Sequence, residues 1–342
     1  MTTDTINIVK EYRKKEAINY SSLSALAVSP QAYIARDDIG DIPAFRKGSA
    51  VDCLLTTPDD FHIEFYVMAI KKAPTPQMVK YVEKLFELGD GVQKGIDPHE
   101  AAYLESGYKS KPEAIREKYE NEGKAYYDAL KDARGKTILT YLEYEQIQRA
   151  VNAVKEGAFT KQYFSRPKAG IDILYQYPIY WETEGQACKS LLDIIVIDHK
   201  SKEIFPIDLK TTGKSVLNFG SAFMKWKYYL QASFYTAATI FWKNNDTDLT
   251  DYSVKNFKFL VVETVGVNPP MLFKCSDRDL EVGENGGKDQ FGNQIKGYKN
   301  LISDLNYHDR TGNWDFPREV YENNGIVMLD TMRDGVRENE EN

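Results

Sequence analysis

The chain is poor in the residues that build covalent or soft-metal frameworks. Its three cysteines, Cys53, Cys188 and Cys275, lie far apart. They form neither the even set of a disulfide scaffold nor the CxxC pairs of a zinc site, and they are too few for a four-cysteine iron–sulfur cluster. Reduced, structural thiols are expected. The four histidines, His62, His99, His199 and His308, are scattered, without HxxxH spacing or a cysteine partner, which argues against a histidine zinc centre. Long apolar runs are missing too: the strongest, residues 191–197, is interrupted by Asp193 and is too short to cross a bilayer. No basic start leads into an apolar stretch, so a cytoplasmic protein without a membrane partner is expected. An excess of positive charge is also lacking. Against 44 basic residues stand 51 acidic ones, a net charge of -7, which excludes bulk electrostatic coating of nucleic acid and requires of any DNA ligand a local basic track. Such a track is compatible with an acidic total where bound cations reverse the sign of a carboxylate cluster. There are no internal repeats. Gly283 to Gly297 is glycine-rich but follows no strand and has no GKT or GKS sequel, so it reads as a loop rather than a phosphate cradle.

What is present suffices for a large core: 342 residues, 42% of them hydrophobic, fit one large domain or two intimately joined ones. Near the start, the hydroxyls of Tyr20-Ser-Ser-Leu-Ser-Ala-Leu offer N-caps, and Ser29-Pro30 restarts a helix. A further helix runs through Gly48-Ser-Ala-Val-Asp-Cys-Leu-Leu and ends before Pro58. Residues 75–135 are charged and weakly periodic and read as exposed helices and loops. Thr140 with Glu143 makes a capping box, after which Tyr144, Ile147, Val151 and Val154 fall at helical spacing. The period then changes to that of strands over residues 171–180, 188–197 and 204–210. A long helix from about Asn218 to Lys243 places Phe223, Trp226, Leu230, Phe234, Ala237 and Phe241 on one face, and residues 258–265 return as a strand. This order predicts an α/β fold, a central mixed sheet flanked by helices. Residues 1–135 form an N-terminal helical region, 136–331 the core and 332–342 a disordered tail.

Residues two apart on a strand share a face, so Asp208 and Lys210 project together from the third strand. Asp193 sits in the middle of the preceding strand, where an unpaired carboxylate is costly unless a cation receives it. A hairpin would bring it close to Asp208. Two carboxylates and a backbone carbonyl, that of Leu209, are hard oxygen ligands of the kind Mg²⁺ or Mn²⁺ prefers. Phosphodiester hydrolysis needs an activated water, neutralised transition-state charge and help for the leaving oxygen. Lys210 beside such a metal can orient or deprotonate the water or stabilise charge; cations nearby would lower its pKa. A single D-x-K on a strand is also commonly an exposed ion pair. Lys227, Gln231 and Tyr235 recur every four residues and are expected on one stripe of the long helix, either lining the site or merely solvated. Tyr228 or Tyr229 can touch DNA, whereas Trp226 and Trp242 read as core or interface residues. Arg36 and Arg46 are candidate phosphate clamps of no special rank.

Four stretches, Gly48-Ser-Ala-Val-Asp-Cys-Leu-Leu, Cys188-Lys-Ser-Leu-Leu-Asp193, Ile207-Asp-Leu-Lys-Thr-Thr212 and Tyr229-Leu-Gln-Ala-Ser-Phe-Tyr235, together resemble the PD-(D/E)XK nucleases. The resemblance is to the phage and prophage exonucleases similar to RecE (exonuclease VIII), and more distantly to lambda exonuclease. It spans roughly residues 20–320. It implies a restriction-endonuclease-like core with Asp193, Asp208 and the Leu209 carbonyl holding Mg²⁺ or Mn²⁺, as a pair of ions. Lys210 would be the catalytic lysine, with Gln231 and Tyr235 behind the ligands beside the DNA. It further implies 5′ to 3′ digestion of linear double-stranded DNA from its ends, a ring-like homo-oligomer, a single-strand annealing partner and a phage or prophage origin. Three departures stand out: Leu192-Asp193 for the family's Pro-Asp, Asp208 for glutamate, and Asp52 for the histidine of the early helix. Asp52 is either a harder metal ligand or an early-helix acid favourable to the dipole. An endonuclease or helicase-associated nuclease, and a noncatalytic DNA-binding module, remain the alternatives.

Overall fold

The computed structural model describes residues 4–38, 43–89, 97–288, 292 and 294–327. The expected tail at 332–342 lies outside them. The chain divides into a sheet-bearing unit, residues 1–42 with 153–342, and a helical unit, residues 43–152. The N-terminal segment thus groups with the sheet. Ile18 bridges Cys188, its amide bonding the Ala187 carbonyl at 3.0 Å. The buried Lys189 ammonium donates to the carbonyls of Tyr12, Arg13 and Lys15 at 2.9, 3.3 and 2.6 Å. Those carbonyls are the orphan acceptors at the end of the helix Asp4–Lys14, so a buried lysine is tolerated because it caps a helix C-terminus.

In the sheet-bearing unit, α1 (Tyr20–Leu26) is capped by Asn19, whose side chain accepts from the Ser22 amide at 2.8 Å. The serines lie inside the helix, and the cap is the residue before Tyr20. Strands β1 (Ile171–Thr183) and β2 (Gln186–Asp198) form a hairpin closed by Glu184-Gly185, both at positive φ. Two left-handed residues are what a tight two-residue turn between twisted strands requires. β3 (Glu203–Thr212) pairs antiparallel with β2, then parallel with β4 (Lys258–Glu263), and β5 (Met271–Lys274) closes the edge, giving the order β1-β2-β3-β4-β5. The parallel β3–β4 step contains two helices, α2 (Phe219–Lys225) and α3 (Tyr228–Asn245). α3 buries Leu230, Phe234 and Ala238 against Leu192, Ile195, Ile197 and Ile204, with α5 (Tyr298–Thr311) adding Tyr298, Leu301, Ile302 and Leu305. Each such aliphatic burial contributes roughly 1.5–3 kcal/mol. The architecture is the expected mixed α/β one.

Two sequence expectations change here. The long helix is broken: α2 ends at Lys225 with Trp226 as its C-cap, and Lys227 adopts a left-handed conformation (φ 54°) before α3 begins. Trp226 therefore leaves the apolar face and is 56% exposed. The glycine-rich stretch begins inside a helix, α4 (Asp277–Asn285), which includes Gly283.

The helical unit starts with Pro43–Thr56, which carries Asp52. Residues 75–135 are more than exposed helices. Helices Pro76–Leu88, Pro98–Ser106 and Pro112–Lys118 each begin on a proline, which suits the first turn. Together with the turn Tyr119–Gly123 and the helix Lys124–Ala133 they bury a tyrosine-rich core of Met78, Tyr81, Val82, Leu85, Tyr119, Tyr126 and Tyr127. Tyrosine hides this periodicity because it counts as apolar only along its ring. The Thr140–Glu143 capping box forms, with the Glu143 amide donating to Thr140 Oγ1 at 3.1 Å and the Thr140 amide to Glu143 Oε2 at 2.8 Å. All three cysteines are buried, and burial pushes each thiol up to about 12. Among the described residues, no helix is long and apolar enough to cross a membrane.

Candidate active site

The site lies where β2 and β3 part. Their ladder runs from Asp198↔Glu203 to Ile194↔Ile207 and stops. The next step of the same register sets Asp193 opposite Asp208. Along its other edge β3 pairs first with Ser253–Val254 and then, from Ile207↔Lys258 through Thr212↔Glu263, with β4. The Asp193 carboxylate occupies the fork, where its Oδ2 accepts the Leu209 amide at 2.8 Å. On an extended strand the N–H and C=O of one residue point to the same edge. The Leu209 carbonyl therefore faces the same fork, on the edge that β2 has left.

Asp208 is only 3% exposed. Its Oδ1 accepts from Gln231 Nε2 at 2.6 Å, and its Oδ2 pairs with the Lys210 ammonium at 2.6 Å. Burial holds the Asp208 carboxyl above the usual carboxylate range, against the pull of Lys210 and of its hydrogen-bond partners. For Lys210 burial acts downward, but Asp208, Tyr228 and Asp193 outweigh it and hold the ammonium above the usual lysine value. The Lys210 ammonium lies 4.9 Å from the Tyr228 ring centroid and 5.9 Å from that of Phe259, two rings whose own centroids are 5.6 Å apart, so its charge faces an aromatic wall on one side.

The structure brings Asp193, Asp208, the Leu209 backbone, Lys210, Gln231 and Tyr235 together. Tyr235 packs edge-on to Tyr20 with centroids 6.5 Å apart. Its hydroxyl is held neutral, chiefly by burial, then by Tyr12 and the two aspartates. Lys227 is not on the α3 stripe: as the left-handed residue before the helix, it lends its carbonyl to the Leu230 amide at 2.9 Å. Asp52 belongs to the helical unit, where Thr56 Oγ1 bonds its carbonyl at 2.8 Å. Arg46 of that unit faces Glu143 at 3.8 Å, and Arg36 lies over the Tyr33 ring at 4.2 Å. The histidines stay apart: His99 meets the Tyr81 hydroxyl, His199 meets Asp172 and Tyr252, and His308 meets the Asn313 carbonyl.

One residue of the site has no motif to announce it. Gln176 lies in the middle of β1, opposite Asp193, and donates from Nε2 to Asp193 Oδ1 at 3.3 Å. Its φ is +46°, a conformation that costs an ordinary L-residue about 1–3 kcal/mol inside a strand. The core-facing side of both strands slips by one at this level. Leu174 but then Tyr177, Ile179 and Trp181 face the main core from β1, and Cys188 and Leu192 but then Ile195 and Ile197 from β2. The only signal in the sequence is a glutamine between two tyrosines. Gln176→Asn, which accepts the left-handed backbone but is one methylene short, should leave the urea midpoint unchanged. It should weaken Mn²⁺ binding about tenfold, as read by calorimetry.

The donor set suits a hard divalent cation: two carboxylates and one carbonyl, all oxygen. No group of three His, Cys, Asp or Glu side chains that could hold a metal occurs among the described residues, so backbone, water or substrate must complete any shell.

Comparison with known proteins adds little. No family model and no curated protein matches the chain. Among solved structures it is similar to a crystal structure from Eubacterium rectale described as "Putative exonuclease", with 11% identity and a TM-score of 0.45 over 96% of each chain.

Proposed function

We propose that this chain is a divalent-metal-dependent deoxyribonuclease. The observation that carries the reading is the fork itself, which sets Asp193 opposite Asp208 with Lys210 two residues along the same strand face. A bound Mg²⁺ or Mn²⁺ would supply Lewis acidity toward the phosphate and the attacking water. Asp193, Asp208 and the Leu209 carbonyl are the groups to hold it. Gln231 fixes one oxygen of Asp208 and Gln176 one oxygen of Asp193, so both carboxylates are oriented from behind. Lys210 holds a positive charge at the fork, able to swing from Asp208 to a phosphate oxygen or to orient the water as charge develops. Tyr228 and Phe259 form an aromatic wall on one side of that ammonium, where water cannot screen its charge.

The finer reading rests on the motif resemblance: 5′ to 3′ digestion of linear double-stranded DNA from its ends, by a ring-like homo-oligomer, leaving a single strand for an annealing protein in phage-type recombination. Asp52 enters it as a further oxygen ligand. The test is digestion of linear duplex labelled at either end, in Mg²⁺ or EDTA, beside covalently closed circles. Metal-dependent loss from 5′ ends with circles spared supports the exonuclease. Nicked circles make it an endonuclease, and binding without cleavage overturns the enzyme.

A further inference from the structure

An acidic chain needs a stretch free of carboxylates if it is to hold a polyanion, and one such stretch begins at the site. Between Asp208 and Asp246 there is no Asp or Glu at all, while Lys210, Lys214, Lys225, Lys227 and Lys243 fall in the same interval. The middle of that interval is the break between α2 and α3, with Trp226 between two lysines. Of the four tryptophans Trp226 alone is exposed, and the Lys225 ammonium lies 5.1 Å from its ring centroid. Its backbone is fixed, the Trp226 amide bonding the Ala222 carbonyl and its carbonyl accepting the Tyr20 hydroxyl, both at 2.9 Å. Tyr20 also packs edge-on to Tyr235 of the site, with ring centroids 6.5 Å apart, so this rim borders the fork. An exposed indole costs solubility, and nothing in the core requires this one: α3 closes its apolar face without it.

We propose that Trp226 is a stacking platform for a base of an unpaired DNA strand, with Lys225 and Lys227 following the backbone on either side. The placement beside a phosphodiester-cleaving site rests on the nuclease reading; the binding chemistry does not. A base on an indole gains stacking whatever its identity, and the flanking ammonium groups draw phosphates within the Debye length. The expected ligand is therefore single-stranded DNA of any sequence, in preference to a blunt duplex whose bases are already stacked.

The test uses the full chain in EDTA, so that cleavage plays no part. A labelled 20-mer of thymidine is titrated by anisotropy and the protein's intrinsic fluorescence is followed. Wild type should bind with quenched tryptophan emission. Trp226→Leu should weaken binding about tenfold or more, Trp226→Phe should recover part of it, and raised salt should weaken all three in parallel. Equal affinity of Trp226→Leu and wild type overturns the proposal. So does a Trp226→Leu variant that changes only its sedimentation behaviour, which would give the face to a protein partner. Quenching without any later cleavage in Mg²⁺ leaves this proposal standing and removes the nuclease reading; cleavage without a Trp226 effect does the reverse.

Discussion

Lys210→Ala is expected to lower DNA cleavage by about 10²–10⁴-fold while duplex binding in Ca²⁺ or EDTA stays within a few-fold of wild type. The size follows from what the side chain does. On the nuclease reading its ammonium, 2.6 Å from Asp208 and 4.9 Å from the Tyr228 ring centroid, would be a charge already in place when the transition state forms. Alanine removes that charge but leaves Asp208 anchored by Gln231 and Asp193 anchored by the Leu209 amide. Metal binding should therefore survive, with a Mn²⁺ affinity similar to or higher than wild type, since a competing cation has gone. Undiminished cleavage by Lys210→Ala would sink the assignment. A variant that cleaves poorly and also fails to bind Mn²⁺ would show that the loss lies in the folding of the fork.

Gly283→Ala carries the largest expected cost in stability, at the upper end of the roughly 1–3 kcal/mol typical of overpacking or beyond it. A Cβ on Gly283 would lie 2.1 Å from Ser233 Oγ and 2.2 Å from the Tyr229 carbonyl. The second of these is helix backbone and cannot rotate away. Ser233 Oγ is in turn committed to the Leu280 carbonyl at 2.6 Å, tying α3 to α4. Because Tyr229 and Ser233 flank Gln231 on α3, the displacement should also reach the support behind Asp208. The measurement is urea unfolding followed by Mn²⁺ titration of the folded variant. An unchanged midpoint would mean that α4 can move off α3 freely.

Much of this site was legible because its signals are local. Asp208 and Lys210 share a strand face by simple alternation, Asp193 stands out as a charge in an apolar run, and Gln231 and Tyr235 are one helical turn apart. Strands and the Thr140–Glu143 cap follow from the same short-range rules. What escaped depends on geometry that no period encodes. Trp226 fits the apolar stripe of a continuous helix, and only the left-handed Lys227 takes it out of that stripe. Gln176 is a residue of unremarkable type whose importance comes from its alignment with Asp193, two strands having slipped together. The tyrosine core of the helical unit escaped for another reason, since Tyr81, Tyr119, Tyr126 and Tyr127 carry hydroxyls that blur a hydrophobic pattern while their rings fill the interior.

The early end of the β2–β3 ladder has a consequence for cooperativity. The hairpin β1–β2 is joined to the rest of the sheet through a ladder of only five residue pairs, Ile194 to Asp198 against Ile207 to Glu203. The hairpin lies on one side of this seam and the crossover β3–α3–β4, closed by its parallel ladder, on the other. Asp193 belongs to the first and Asp208 to the second. A cation held by both would act as a staple across this seam, so amide hydrogen exchange in the far half of the hairpin, around Thr183 and Gln186, should slow when Mn²⁺ is added, far from any atom that touches the ion.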